Sequence, residues 1–170
     1  MRCPYCGFEN IAGIDLCESC GSDLAGLDLD ASSSGFKGQL LTDKLGDLAL
    51  GPAICLGSRS TVEEAVEALR EAHHGCVLIK DESRLTGIFT ERDLLTRVLR
   101  RGLDPVETRL AEVMTPNPFT LSPDDPPAFA IHRMVSEGLR HLPILDDGVL
   151  LGFVSVRNIL RYIHEDVLSS

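Results

Sequence analysis

The sequence predicts an α/β protein in which a β-α-β-β-α unit occurs twice in tandem, behind a small cysteine-held ribbon and a linker. Three observations carry that expectation. Gly87-Ile88-Phe89-Thr90-Glu91-Arg92-Asp93 returns 65 positions later as Gly152-Phe153-Val154-Ser155-Val156-Arg157-Asn158. The surrounding text keeps the same gapless register, with Ile54-Cys55-Leu56 opposite Phe119-Thr120-Leu121, Ala65 opposite Ala130, Asp81 opposite Asp146 and Leu85 opposite Leu150. Each match is weak alone, and the fixed spacing makes them a repeat. Ahead of both copies stand two C-x-x-C-G phrases, Cys3-Pro4-Tyr5-Cys6-Gly7 and Cys17-Glu18-Ser19-Cys20-Gly21.

The 170 residues suffice for one full core with a small appendage, and 44% apolar with 25% charged residues is the composition of a globular chain. No apolar run approaches the roughly eighteen residues of a membrane span, and Met1-Arg2-Cys3-Pro4 lacks the apolar segment of a secretion signal. A cytoplasmic location without membrane partners is therefore expected. A net charge of −10 is spread along the chain, so the basic excess that drives nucleic-acid binding is missing.

In each C-x-x-C-G phrase, backbone N–H groups point at the sulfurs while two thiolates reach one ion. Two phrases together complete the tetrahedral all-cysteine set that zinc prefers, with Cys3, Cys6, Cys17 and Cys20 as ligands. So short a stretch builds no core, and metal binding supplies its folding free energy. All four positions are protein ligands, which leaves none open for catalysis. Iron in a rubredoxin-like site remains an alternative. Disulfides are disfavoured for a cytosolic chain, and dithiol redox chemistry needs a single C-x-x-C at a helix start. The ribbon spans residues 1–22 and resembles the short zinc ribbons attached to many prokaryotic regulatory and enzyme chains. Residues 23–44 are Gly-, Asp- and Ser-rich, centred on Ala31-Ser32-Ser33-Ser34-Gly35, and read as a flexible linker.

The first copy is placed at residues 45–107 and the second at 108–170. In copy one, Ser60 and Glu63 suggest a capping box ahead of Val62, Ala65, Val66 and Leu69, which define one apolar helix face. Cys76-Val77-Leu78-Ile79 reads as a buried strand, Asp81-Glu82-Ser83 as a turn, Leu85–Phe89 as a second strand and Glu91–Arg101 as the closing helix. Copy two begins its helix at Asp125 with Pro126, continues with strands Leu142–Leu145 and Val149–Val154, and closes with helix Val156–Glu165. Cys55 and Cys76, inside strands, read as small buried hydrophobes. His73 and His74 have no carboxylate or cysteine at metal spacing.

The repeated Gly-to-Asp/Asn phrase admits two readings. Thr90 with Asp93, and Ser155 with Asn158, suit a capping box at the start of a helix. The same hydroxyl, beside free N–H groups at a helix N-terminus, suits a phosphate, and a carboxylate one turn on suits a ribose diol.

These phrases, with Gly75-Cys76-Val77-Leu78-Ile79, Val113-Met114-Thr115-Pro116-Asn117-Pro118 and His141-Leu142-Pro143-Ile144, resemble the CBS domain, the module named after cystathionine β-synthase. The resemblance covers residues 41–170 and implies a pseudo-twofold pair of repeats. It also implies clefts between them that take adenosine-containing ligands such as AMP, ADP, ATP or S-adenosylmethionine. By the same resemblance Thr90 and Ser155 would meet phosphate, and Asp93 and Asn158 the ribose diol. Groups around Ile54, Phe119, Val77 and Pro143 would hold adenine. Asn158 stands where the family pattern has Asp, which implies a weaker ribose grip in that corner. Arg140 and His141, ahead of a strand, are placed to reach a phosphate, with plain surface solvation as the alternative. Arg97, Arg100 and Arg101 are explained by the negative end of the helix dipole.

The function these readings imply is a non-enzymatic sensor in which an adenosyl ligand changes the packing of the repeats and an unknown protein partner reads the change. The resemblance adds a homodimer. The alternative is a protein-interaction adaptor with a structural zinc ribbon and no ligand.

Overall fold

The computed structural model describes residues 1–3, 5–11, 14–24 and 36–167. Half of the expected linker, residues 25–35, lies outside the described residues, and its last part forms a helix, α1 (Phe36–Thr42). The chain divides into two compact units. One comprises Gly51–Thr120 with Pro143–Phe153; the other comprises Met1–Leu50, Leu121–Leu142 and Val154–Ser170. Among the described residues no helix is long and apolar enough to cross a membrane.

The first of these units holds a four-stranded sheet in the order β1 (Cys55–Leu56), β2 (Cys76–Asp81), β3 (Arg84–Thr90) and β4 (Thr115–Pro116). β1 runs parallel to β2, as a helical crossover requires, while β2, β3 and β4 are antiparallel neighbours. The unbroken apolar run of β2 is explained by burial on both faces. Val77, Ile79 and Phe89 point into one cluster with Val62, Ala65 and Leu69 of helix α2 (Val62–Ala72), joined by Val98, Leu110 and Val113. Cys76, Leu78 and Ile88 point into another with Phe153. The period-two alternation of strand side chains thus assigns neighbouring residues to different cores. Helix α3 (Glu91–Asp93) and helix α4 (Leu110–Val113) belong to the same unit.

The capping box of α2 sits one residue later than the sequence suggests. Thr61 accepts from the Glu64 N–H at 3.2 Å, and Glu64 accepts from the Thr61 N–H at 2.8 Å. Ser60 is held in the preceding turn, its N–H on the Gly57 carbonyl and its own carbonyl accepting from Leu110 N–H. Starting at Val62 puts that residue, Ala65 and Leu69 on the buried face. Asp81 carries a related role at the end of β2, accepting from the Ser58 N–H at 3.0 Å and the Thr86 hydroxyl at 2.9 Å.

Those donors, the Ser58 N–H foremost, hold the Asp81 carboxyl below its ordinary value. Because the folded-state value is depressed, its stabilising contribution is present above the ordinary carboxylate range and lost as the pH falls through the folded value. Asp81→Asn is accordingly expected to flatten the acid side of the stability–pH curve, as followed by urea unfolding between neutral and strongly acidic pH; an unchanged acid limb would contradict the role.

Phe153 lies against Gly51, with which it exchanges two backbone hydrogen bonds of 2.8 and 3.1 Å. A methyl group at Gly51 would overlap the Phe153 ring, which is buried and also meets His74 edge-on at 5.5 Å. Gly51→Ala should cost about 1–3 kcal/mol, the usual range for overpacking. A thermal melt would register this as a lowered midpoint, and an unchanged midpoint would contradict the packing.

The other unit contains α1, a 3-10 turn at Leu45–Asp47, helix α5 (Pro127–Glu137) and helix α6 (Val156–Tyr162). α5 starts at Pro127, one residue beyond the sequence reading, because Asp125 is turned back to accept from the Ser122 N–H at 2.8 Å. Leu45 and Gly46 run beside this turn, donating to the carbonyls of Asp125 and Pro123.

The expected leading strand at Phe119–Leu121 is not formed beyond a bridge at Leu121. The preceding backbone turns at Asn117, whose φ is 47°, between Pro116 and Pro118, and the strand pairing falls earlier, at β4. β5 (His141–Asp146) and β6 (Val149–Ser155) form a two-stranded sheet. Asp147 and Gly148 join them, both with positive φ of 46° and 81°, the backbone of a tight hairpin.

Candidate functional site

The ribbon is itself a doubled structure in which the bonds of the Cys3 loop recur at Cys17. Cys3 N–H donates to Phe8 and Gly7 N–H to Cys3; in the second half, Cys17 N–H donates to Ser22 and Gly21 N–H to Cys17. Gly7 and Gly21 take φ values of 74° and 69°, a conformation that glycine adopts without cost and that lets each loop turn back under its sulfurs.

Cys3, Cys6, Cys17 and Cys20 bring their sulfurs within 4.8 Å of one another. Cys3 and Cys20 stand 3.8 Å apart and Cys6 and Cys17 3.4 Å. A tetrahedral ion with bonds of about 2.3 Å to thiolate requires sulfur separations of about 3.8 Å, so the four side chains fit a metal.

Their electrostatics are unequal. Burial pushes the Cys3 thiol up to about 12 and raises that of Cys6. At Cys17 burial acts in the same direction, but the N–H groups of Cys20 and Ser19 and the Asn10 amide outweigh it and bring the thiol down to about 6. Asn10 is the buried organiser of the ribbon, donating to Cys17 Sγ at 3.5 Å and accepting from the Glu18 N–H at 3.0 Å.

The ribbon also meets α5, where the Tyr5 ring lies 6.2 Å from that of His132 and Gly7 lies beside Phe129. Phe129 is 6% exposed, although its counterpart in copy one, Glu64, is a solvent-facing capping residue. That contrast in the repeat register is the sequence signal of a covered face on α5.

In the sheet-bearing unit, β3 ends at Thr90, which caps α3. Asp93 Oδ2 accepts from the Thr90 N–H at 2.9 Å and the Thr90 hydroxyl at 2.7 Å, and the hydroxyl accepts from the Asp93 N–H at 3.3 Å. The capping arrangement legible in the sequence is therefore formed. Asp93 is 7% exposed, and its other oxygen faces Arg97 Nε at 3.3 Å and the Thr115 hydroxyl at 3.4 Å. Arg97 donates further to the carbonyls of Val113 at 3.2 Å and Met114 at 2.5 Å. The helix-dipole explanation of Arg97 is thus incomplete. One turn beyond Asp93, its guanidinium joins the carboxylate to the segment entering β4; the i,i+4 spacing is the signal available in the sequence.

A matching corner occurs in the other unit. Ser155 caps α6, its N–H at 2.9 Å and its hydroxyl both donating to Asn158 Oδ1, while the Asn158 amide donates to the Ala49 carbonyl at 2.6 Å. Arg140 is exposed, and its carbonyl accepts from the Val156 N–H at the start of α6. His141 opens β5 half-buried.

Of the residues expected to hold adenine, Ile54 is half-buried against the core, Phe119 half-buried, and Pro143 buried. Val77 has no exposed surface, so its side chain belongs to the core and is closed to a ligand. Cys76 is buried, which pushes its thiol up to about 12, whereas Cys55 is exposed, contrary to the strand-based expectation.

The CBS domain family model matches twice, at residues 45–100 and 110–165, leaving the ribbon outside. A CBS domain-containing protein of Arabidopsis thaliana, CBSCBSPB2, is 32% identical over 114 residues, 66% of this chain and 21% of that protein. The chain spans about a fifth of such relatives. The CBS domain pair of protein MJ0100, solved with 5′-methylthioadenosine and S-adenosyl-L-methionine, superposes with a TM-score of 0.65 at 25% identity, covering 72% of this chain and 97% of that one. A CBS domain protein from Pyrobaculum aerophilum, solved with AMP, has the same fold at 22% identity, with a TM-score of 0.65 over 75% of this chain and 99% of its own. Two family matches in register with the internal repeat, and a pair-length fold likeness, establish that the chain belongs to the CBS domain family.

Proposed function

We propose that the chain is a non-enzymatic regulatory module that binds an adenosine-containing ligand at the Thr90–Asp93 corner. The observation that supports this most directly is Asp93, a carboxylate held at a helix start beside a hydroxyl and an arginine. It offers the acceptor a ribose diol needs, and the first turn of the helix suits an anionic or polar extension. The adenosyl ligands of the MJ0100 pair support this ligand class. Ile54, Phe119 and Pro143 would line the adenine side. Binding regulates only if the ligand favours one arrangement of the repeats over another, which an unidentified protein partner then reads. A homodimer in the cytoplasm is the expected form.

The ribbon is assigned a structural zinc held by Cys3, Cys6, Cys17 and Cys20, which supplies folding free energy and no catalysis. The ribbon's acidic residues Glu9, Asp15, Glu18 and Asp23 against Arg2 favour a protein over a nucleic acid as anything it docks to. Calorimetric titration of the full chain with AMP, ADP, ATP and S-adenosylmethionine tests the reading. Binding of at least one is expected; no heat from any of the four would leave the adaptor function instead.

A further inference from the structure

The two corners solve the same local problem differently. In the repeat register Met114 stands opposite Ala49, Asp93 opposite Asn158 and Arg97 opposite Tyr162. Each corner has a backbone carbonyl, from Met114 or Ala49, that needs a donor. Asn158 supplies one itself through its amide, at 2.6 Å. Asp93 has no proton to give, and Arg97 supplies the donor at 2.5 Å while bonding the Asp93 carboxylate. Tyr162 is released from this task and donates to Asp43 at 2.6 Å.

The remaining capacity for a ligand follows from counting lone pairs. Asn158 Oδ1 already accepts from both the N–H and the hydroxyl of Ser155, so the amide has no acceptor left for a diol. Asp93 Oδ2 is filled in the same way by Thr90, but among the described residues Oδ1 holds only the two long bonds of 3.3 and 3.4 Å. Both are at the weak end of the range, and the Arg97 side chain, 41% exposed, has room to adjust.

We infer that Arg97 is the positioning residue of the Asp93 corner and that Asn158 is a structural clamp on Ala49, so that the chain takes one adenosyl ligand and not two. The inference rests on the proposed adenosyl binding at that corner. Arg97 holds Asp93 Oδ1 in place while its Nη1 remains on the Val113 and Met114 carbonyls, and a ribose hydroxyl takes the place of the Thr115 hydroxyl.

The test is titration calorimetry on the full chain with AMP, 2′-deoxy-AMP and S-adenosylmethionine. Wild type should bind one ligand per chain and prefer AMP to 2′-deoxy-AMP by about tenfold, the size of a hydrogen bond to a charged acceptor. In Arg97→Gln that preference should fall towards unity, with Arg97→Lys intermediate. A residue with a merely structural role would weaken both nucleotides alike and leave their ratio unchanged. Wild-type binding with an undiminished ratio in Arg97→Gln and Arg97→Lys overturns the positioning role. Two ligands per chain overturns the clamp. No binding of any ligand by wild type removes the adenosyl reading itself. The stoichiometry needs no variant, so a misfolded Arg97→Gln would not protect the inference.

Discussion

Cys17→Ser is expected to abolish metal retention and unfold the ribbon. Structural zinc contributes about 10–16 kcal/mol to small metal-held modules, far more than a stretch this short gains from its few apolar contacts, and a hydroxyl is a poor substitute for a thiolate. Leu24 is the largest apolar side chain buried among the cysteines, so no independent core remains once the ion is lost. Thiol labelling gives the measurement. All six cysteines are free thiols; four lie close enough together to hold a metal, which would protect them, while Cys76 is buried and Cys55 is exposed. The native, zinc-loaded chain should therefore label at Cys55 alone, at Cys55 and the ribbon cysteines after chelation, and at every cysteine when unfolded. Cys17→Ser should label natively at Cys3, Cys6, Cys20 and Cys55. Immediate labelling of all ribbon cysteines in metal-loaded protein, or a Cys17→Ser chain that retains zinc, would contradict the assignment.

The second large effect is at Asp93. Asp93→Ala removes the proposed diol acceptor, and ligand affinity should fall by about 1.5–3 kcal/mol, roughly tenfold to somewhat over a hundredfold. The same change removes half of the Thr90 capping box and leaves the Arg97 guanidinium beside an apolar methyl, so a stability loss of about 1–2 kcal/mol should accompany it. Asp93→Asn separates the two. Its amide oxygen can still accept from Thr90, but its NH2 group would face the Arg97 donor, so affinity should fall further than capping. Equal affinity in wild type and Asp93→Asn, measured by calorimetry with folded protein, would take the carboxylate out of the binding site.

Helices α2 and α5 and strands β2, β3, β5 and β6 are legible in the sequence because each follows from a short-range pattern, whereas α1, α4 and β4 are not. The i, i+3, i+7 face of α2 and the apolar run of β2 survive in the structure as buried residues. The differences lie at starts and ends, where adjacent residues offer equivalent caps. Ser60 and Thr61 both precede acidic residues by three, and contacts distant in sequence, among them the Leu110 hydrogen bond to Ser60 and the Val62 hydrogen bond to Thr108, decide between them. Phe119 does not open a strand as Ile54 suggests, because Pro116, Asn117 and Pro118 impose a turn that the repeat register does not show. At the site, Thr90–Asp93 and Ser155–Asn158 are local enough to read as capping boxes. The link from Arg97 to Met114 and that from Asn158 to Ala49 are not, since each depends on where a distant backbone carbonyl falls. The Asp93/Arg97 and Asn158/Tyr162 pairs are visible in the repeat register; their meaning requires the carbonyl.

The most direct measurement is a crystal structure of the zinc-loaded chain grown with S-adenosylmethionine. A ribose diol on Asp93 Oδ1, Arg97 still bonded to the Met114 carbonyl, and an Asn158 amide still on Ala49 with no ligand beside it is the result predicted. Ligand held through Asn158, or both capping boxes closed with no ligand at Asp93 under saturating S-adenosylmethionine, would contradict the account.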